Sequence, residues 1–143
     1  MEDGFLEELI DGKRSSRAVQ KAIGPSEIGG CRRKVWHRLQ QTPIVNHNTW
    51  QFPSFSGTAI HKELERRVRA RDLHDRYEVE IELEFNGLKG HVDVYDKQNR
   101  EVIDWKTTTK DKLNSKDKPW PYDEQWWQVQ LYGYLLVHNG YPG

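Results

Sequence analysis

Residues 78–107 read EVEIELEFNGLKGHVDVYDKQNREVIDWKT, and their patterning decides the architecture. From Glu78 to Phe85 acidic and apolar residues alternate without a break, the period of a strand with one buried face. Val79, Ile81, Leu83 and Phe85 are expected to point inward; Glu78, Glu80, Glu82 and Glu84 are read as a solvated face that protects an edge. Asn86-Gly87 is the signature of a type I′ hairpin turn, so Leu88 to Asp96 should return antiparallel. A polar turn, Lys97 to Arg100, leads to a third strand from Glu101 to about Thr107. The segment is a three-stranded meander with the second strand in the middle.

Outward from the meander the period becomes helical. Pro25-Ser26-Glu27 reads as a helix start with Ser26 as its N-cap, and Ile28, Cys31, Val35 and Leu39 follow at helical spacing. That stripe turns Cys31 toward the core and leaves Arg32, Arg33 and Lys34 beside it. Residues 13–24 are a short helix or a flexible lead-in. Residues 41–56 carry two prolines and little periodicity and read as a loop. Gly57-Thr58 opens a second helix to about Asp75, with Ile60, Leu64 and Val68 as its buried stripe. Lys110 to Pro121 is a polar loop, and a last helix runs from about Asp123 to His138, offering Val129, Leu131, Tyr132, Leu135 and Leu136 as apolar faces. The class is therefore α/β, an antiparallel three-stranded meander flanked by helices. The closing HNGYPG is a natural lead into one further strand, so the chain is expected to be a fragment of a longer protein whose final strand is missing here.

A length of 143 residues suits one domain with a core of its own. Charged residues make up 31%, above the usual ~25%, and no apolar run approaches the ~18–20 residues of a membrane span. The acidic start, MEDGFLEELIDG, lacks the pattern of a signal peptide. A single cysteine, Cys31, precludes an internal disulfide and points to a reducing, cytoplasmic setting. Formal net charge is zero, yet residues 13–38 hold eight bases against Glu27 alone, and Lys106, Lys110, Lys112, Lys116 and Lys118 cluster further on. Clustered bases fit a phosphate backbone, and they equally fit a solvated helix surface.

Two strands carry polar residues where a strand favours apolar ones. GHVDVYD puts His91, Asp93 and Tyr95 on one face with Val92 and Val94 on the other; VIDWKT puts Asp104 and Lys106 together, opposite Ile103 and Trp105. Two carboxylates from adjacent strands and a lysine two residues on form an arrangement for an ion and a water. Oxygen ligands suit Mg²⁺ or Mn²⁺, and the lysine can stabilise charge growing on phosphorus. His61 with Glu65, and Gln128 with Tyr132, add polar pairs one helical turn apart.

In this combination the sequence resembles the PD-(D/E)XK nuclease superfamily, in its RecB-like branch, which includes CRISPR-associated and phage-encoded exonucleases. The likeness spans roughly residues 24–137 and follows the family's motif order: PSEIGGCRRKVWHRL, GTAIHKELE, GHVDVYD, EVIDWKT and QVQLY. D-x-K alone is weak; five motifs in order, each on the element it requires, are strong. The resemblance implies a restriction-endonuclease-like core over residues 25–143 after a lead-in, 1–24. It implies His61, Asp93 and Asp104 as metal ligands, with the carbonyl of Trp105 as a further one. Lys106 would be catalytic, and Gln128 and Tyr132 would line the site and help place DNA. Arg32, Arg33 and Lys34 would lie near the substrate channel. The implied activity is metal-dependent exonucleolytic hydrolysis of DNA, single-stranded or with a free end, in phage or prokaryotic recombination, repair or CRISPR adaptation. The rival is a non-catalytic DNA-end-binding or partner-docking module. Many members hold a [4Fe–4S] cluster on four cysteines. Cys31 stands where the first would be, so it is either a ligand whose three partners lie in a longer chain or a core residue.

Plainer roles stand beside these. Glu65 can pair with Arg69, His91 can be an exposed strand residue, and the arginines of the second helix share it with acids. Trp50, Phe52, Phe55 and Trp120 can stack on unpaired bases or anchor their loops.

Overall fold

The computed structural model describes residues 21–43, 52–72, 74–115 and 120–143. Their order is a 3-10 turn (Pro25–Glu27), α1 (Arg32–Leu39), α2 (Phe52–Arg71), β1 (Tyr77–Phe85), β2 (Leu88–Asp96), β3 (Glu101–Ile103), a single turn α3 (Lys110–Leu113) and α4 (Asp123–His138). The sheet runs β1-β2-β3 with both pairs antiparallel, an open sheet flanked by helices as the sequence predicts. Asn86 and Gly87 have φ of 51° and 80°, the left-handed pair that a type I′ turn requires. No helix among the described residues is long and apolar enough to cross a membrane.

The core lies between the sheet and α4. Val92 and Leu135 are fully buried, and Ile81, Leu83, Tyr95, Tyr132 and Leu136 close around them. Each fully buried aliphatic side chain contributes about 1.5–3 kcal/mol. Asp123 and Glu124 place negative charge at the N-terminus of α4, where the helix dipole favours it, and the Gln125 side chain accepts from the Tyr122 N–H at 2.9 Å. The 3-10 turn packs on β2 at Gly90. A Cβ there would lie 2.9 Å from both Pro25 Cδ and Tyr132 Cε1, so only glycine allows this approach. Beside it Ile23 makes a parallel bridge to Leu88, along the part of β2 that β3, paired only with Val94 to Asp96, does not reach.

Several elements depart from the sequence expectation. Gly24, not Ser26, caps the 3-10 turn: its N–H donates to the Glu27 carboxylate at 2.9 Å, while Ser26 is exposed. Gly29, at φ 85°, then breaks the chain before α1, which starts at Arg32 with Cys31 as its exposed N-cap. The helical stripe expected from Ile28 therefore never forms, and Cys31 does not face the core. α2 begins at Phe52, inside the stretch read as a loop, because Pro53 is tolerated in a first helical turn. Its stripe is shallow: Ile60 is 45% exposed, and Leu64 and Val68 are half-buried. β3 ends at Ile103 rather than Thr107, and Lys110–Leu113 is helical within the expected loop. The lead-in at 13–20 and the readings placed on Trp50, Lys116 and Lys118 lie outside the described residues.

The alternation of the hairpin is also interrupted. Val92 and Tyr95, assigned to opposite faces, belong to one core cluster. Glu80, directly across from Asp93 between the pairs Val79↔Val94 and Ile81↔Val92, has φ 54°. A left-handed residue inside a strand rotates the chain locally, and five consecutive residues of β2, Val92 to Asp96, are buried as a result.

Candidate active site

Asp93 is in mid-β2 and 9% exposed. One of its oxygens, Oδ2, accepts from the backbone N–H of Trp105 at 2.8 Å. The carboxylate thus takes over where the β3 ladder stops, and it fixes the segment beyond β3 that carries Asp104 and Lys106. His61, from α2, brings Nδ1 to 3.5 Å from the other oxygen, Oδ1, and its ring sits T-shaped to that of Trp105 at 6.0 Å between centroids.

Asp104 is held on both sides. Lys106 Nζ lies 2.6 Å from its Oδ2, the same-face pairing expected of residues two apart, and Gln128 Nε2 donates to its Oδ1 at 3.3 Å. Gln128 also donates to the Tyr132 hydroxyl at 2.9 Å, so two residues one turn apart on α4 act as a single prop. Burial pushes the Asp104 carboxyl above its ordinary value, against the pull of Lys106, and the neighbouring Asp93 pushes the same way. Burial raises Tyr132 to about 12, so its hydroxyl keeps its proton at neutral pH.

Asp93, Asp104, Lys106, His61, Gln128 and Tyr132 all line one open groove of about 1330 Å³ between the helices and the sheet. Of the basic trio on α1, Lys34 lines it; Arg32 and Arg33 are exposed and do not. Cys31 stays outside, its thiol held below its ordinary value by the backbone N–H groups of Lys34 and Arg33. Glu65 takes its plainer role, bonded to Arg69 Nε at 3.0 Å, though it also lines the groove. On the rim His91 Nε2 lies 3.1 Å from Glu82 Oε2, and Lys89 pairs with the same carboxylate. Along α2, Glu63 bonds both Arg66 and Arg67.

The reading of β1 as a solvated acidic face missed Glu80, which lines the groove. The signal was present: a two-residue turn at Asn86-Gly87 fixes the register and sets Glu80 opposite Asp93. Asp96 was passed over as well. It is 2% exposed and accepts from Arg76 Nε at 2.9 Å and from the N–H groups of Gln98 and Asn99, a structural carboxylate at the far end of β2.

The family model of the PD-(D/E)XK nuclease superfamily matches residues 8–143. The chain belongs to this superfamily. Its open three-stranded sheet and flanking helices are consistent with a restriction-endonuclease-like core. No curated protein and no solved structure matches the chain. On the sequence reading, the D and the D-x-K of a PD-(D/E)XK nuclease are Asp93 and Asp104-Trp105-Lys106, the residues that meet at the groove floor. Their oxygen-rich donor set, with Asp93 close enough to push the Asp104 carboxyl upward, suits a hard divalent cation. In the described conformation the Lys106 ammonium meets that need for Asp104; no group of three or more His, Cys, Asp or Glu among the described residues is arranged to hold an ion. A [4Fe–4S] cluster would need cysteines beyond Cys31, and the sequence has no other.

Proposed function

We propose that this superfamily member is a metal-dependent DNA exonuclease of the RecB-like branch, with residues 25–143 as its catalytic domain. The observation that carries the reading is the meeting of Asp93, Asp104 and Lys106 on the floor of an open groove, with Gln128 and Tyr132 propping Asp104 from behind. Asp93, Asp104, His61 and the Trp105 carbonyl would hold Mg²⁺ or Mn²⁺. When bound, the ion acidifies water and offsets charge on a phosphoryl oxygen. Lys106 supplies a positive charge beside the reacting phosphate, and Lys34 and Lys62 on the groove walls meet the DNA backbone. The exonuclease assignment, and a role in phage or prokaryotic recombination, repair or CRISPR adaptation, rest on the resemblance of the five motifs. The buried charges weigh against a non-catalytic module: Asp104, its side chain 5% exposed, costs folding energy that pure binding has no need of.

The test is cleavage of end-labelled linear DNA, single- and double-stranded, and of closed circular DNA, with Mg²⁺, Mn²⁺ or EDTA. Metal-dependent release of label from linear DNA only, abolished by Asp104→Ala and reduced roughly 10²–10³-fold by Lys106→Ala, is expected. Nicking of circles would replace the exonuclease reading with an endonuclease. Cleavage of nothing, with DNA still bound, would favour the binding module.

A further inference from the structure

A second cavity, of about 430 Å³, opens next to the groove and shares Asp104 and Lys106 with it. Its character is different. Trp105, Trp120, Trp126 and Pro121 wall it, over Leu64 and Val129. Trp126 is 57% exposed, although it sits on α4, which buries Gln128 and Tyr132. Trp120 is half-buried, its ring held T-shaped against Tyr122 at 5.5 Å. Trp105 connects the two cavities, since its ring lines the cleft and meets His61, which lines the groove.

Exposed tryptophan surface is costly in water unless a flat apolar partner covers it. A volume near the lower end of the range for ligand pockets has room for one base with its sugar and none for a duplex. Aromatic walls accept any base by stacking, and the charged edge of the cleft is the Asp104–Lys106 pair itself. We propose that this cleft takes the single unpaired base next to the phosphate held at Asp104 and Lys106, stacking it against Trp126 and Trp120. The inference rests on the nuclease reading of the groove and adds to it the form of the substrate: the strand must be unpaired at the cut, so a blunt duplex end has to fray before it is a substrate.

The experiment measures binding of a set of single-stranded oligonucleotides too short to slide, each with one abasic position. The proteins are wild type, Trp126→Ala, Trp126→Phe and Trp127→Ala, in Ca²⁺ and in EDTA, with far-UV circular dichroism as the check on folding. Trp127, 60% exposed on the same helix but outside the cleft, is the control. One abasic position should weaken wild-type binding about ten-fold or more, as expected for one stacked base. Trp126→Ala should bind the intact strand weaker by a similar factor and no longer sense that position; Trp126→Phe and Trp127→Ala should keep the wild-type profile. A wild-type profile flat along the strand, or one unchanged in Trp126→Ala, overturns the inference. So does a dimer that Trp126→Ala dissolves while DNA binding is unaffected, which would make the cleft a contact between copies of the chain. Failure of wild type to bind any strand overturns it too, and the label-release assay separately decides whether the groove is a nuclease site.

Discussion

The carboxylate of Asp93 accepts a hydrogen bond from the backbone N–H of Trp105 at 2.8 Å, and this bond stands in for the strand pairing that β3 gives up after Ile103. One side chain thereby serves the fold and faces the groove. The two roles can be separated. Asp93→Asn keeps an acceptor for Trp105 and should hold stability within about 1 kcal/mol, while metal-dependent cleavage falls to background. Asp93→Ala removes the acceptor and should cost a further 1–3 kcal/mol. Urea unfolding beside the label-release assay reads both.

Glu80 pays a conformational penalty at φ 54°, of about 1–2 kcal/mol for a residue with a Cβ. Glu80→Gly relieves it and returns about 0.5–1 kcal/mol of that as glycine's extra chain entropy. The variant should be as stable as wild type or slightly more so, yet less active, because the carboxylate facing Asp93 is gone. A chemical-denaturation midpoint that rises or holds while cleavage drops is the expected pair of results. Activity at the wild-type level would remove Glu80 from the site.

Gly90→Ala puts a methyl group 2.9 Å from both the Pro25 ring and the Tyr132 ring. Overpacking of this kind costs about 1–3 kcal/mol. Tyr132 is the rigid end of the prop behind Asp104, so a loss of activity at temperatures where the variant is still folded should accompany the fall in Tm.

Asp96 gives the molecule an acid limit. The Arg76 guanidinium holds its carboxyl at about 2 in the folded state, below the ~3.9 of an unfolded chain. The folded form therefore binds this proton less readily, and the resulting stability is fully present above about pH 4 and lost as pH falls toward 2. Asp96→Asn should have a lower Tm than wild type at pH 7, and the gap should narrow through that window. A gap independent of pH would assign the effect to the turn hydrogen bonds to Gln98 and Asn99 instead.

The hairpin and α4 were legible in the sequence because their signals are local: strict alternation, an Asn-Gly turn, and acids at a helix start. What escaped depends on contacts across the chain. The length of β3 is set by a side chain twelve residues away, since Asp93 takes the N–H that a longer strand would have paired. The start of α1 is moved by Gly29 and by the cap that Glu27 gives Gly24, which leaves Cys31 in solvent. Pro53 looked like a break in α2 and is compatible with its first turn. For the site, the spacing of Asp104 and Lys106 predicted their 2.6 Å pairing, and the helical spacing of Gln128 and Tyr132 predicted theirs. Glu80 was hidden because in a regular alternation it is one of four equivalent outward acids, and only the pairing across the hairpin sets it apart.

The arginines of α2 have a consequence for how DNA would be met. Arg66 and Arg67 are committed to Glu63, and Arg69 to Glu65, on a chain whose formal net charge is zero. With these arginines paired, α2 offers less long-range attraction to a polyanion, and Lys34 and Lys62 in the groove are among the cations that can displace counterions. Contacts through α2 should therefore release few ions, adding little to a logarithmic dependence on salt of about 0.7 per phosphate contacted on a single strand. On the proposed function, α2 would contribute little electrostatic capture, leaving more of the recognition to shape and stacking at an unpaired strand.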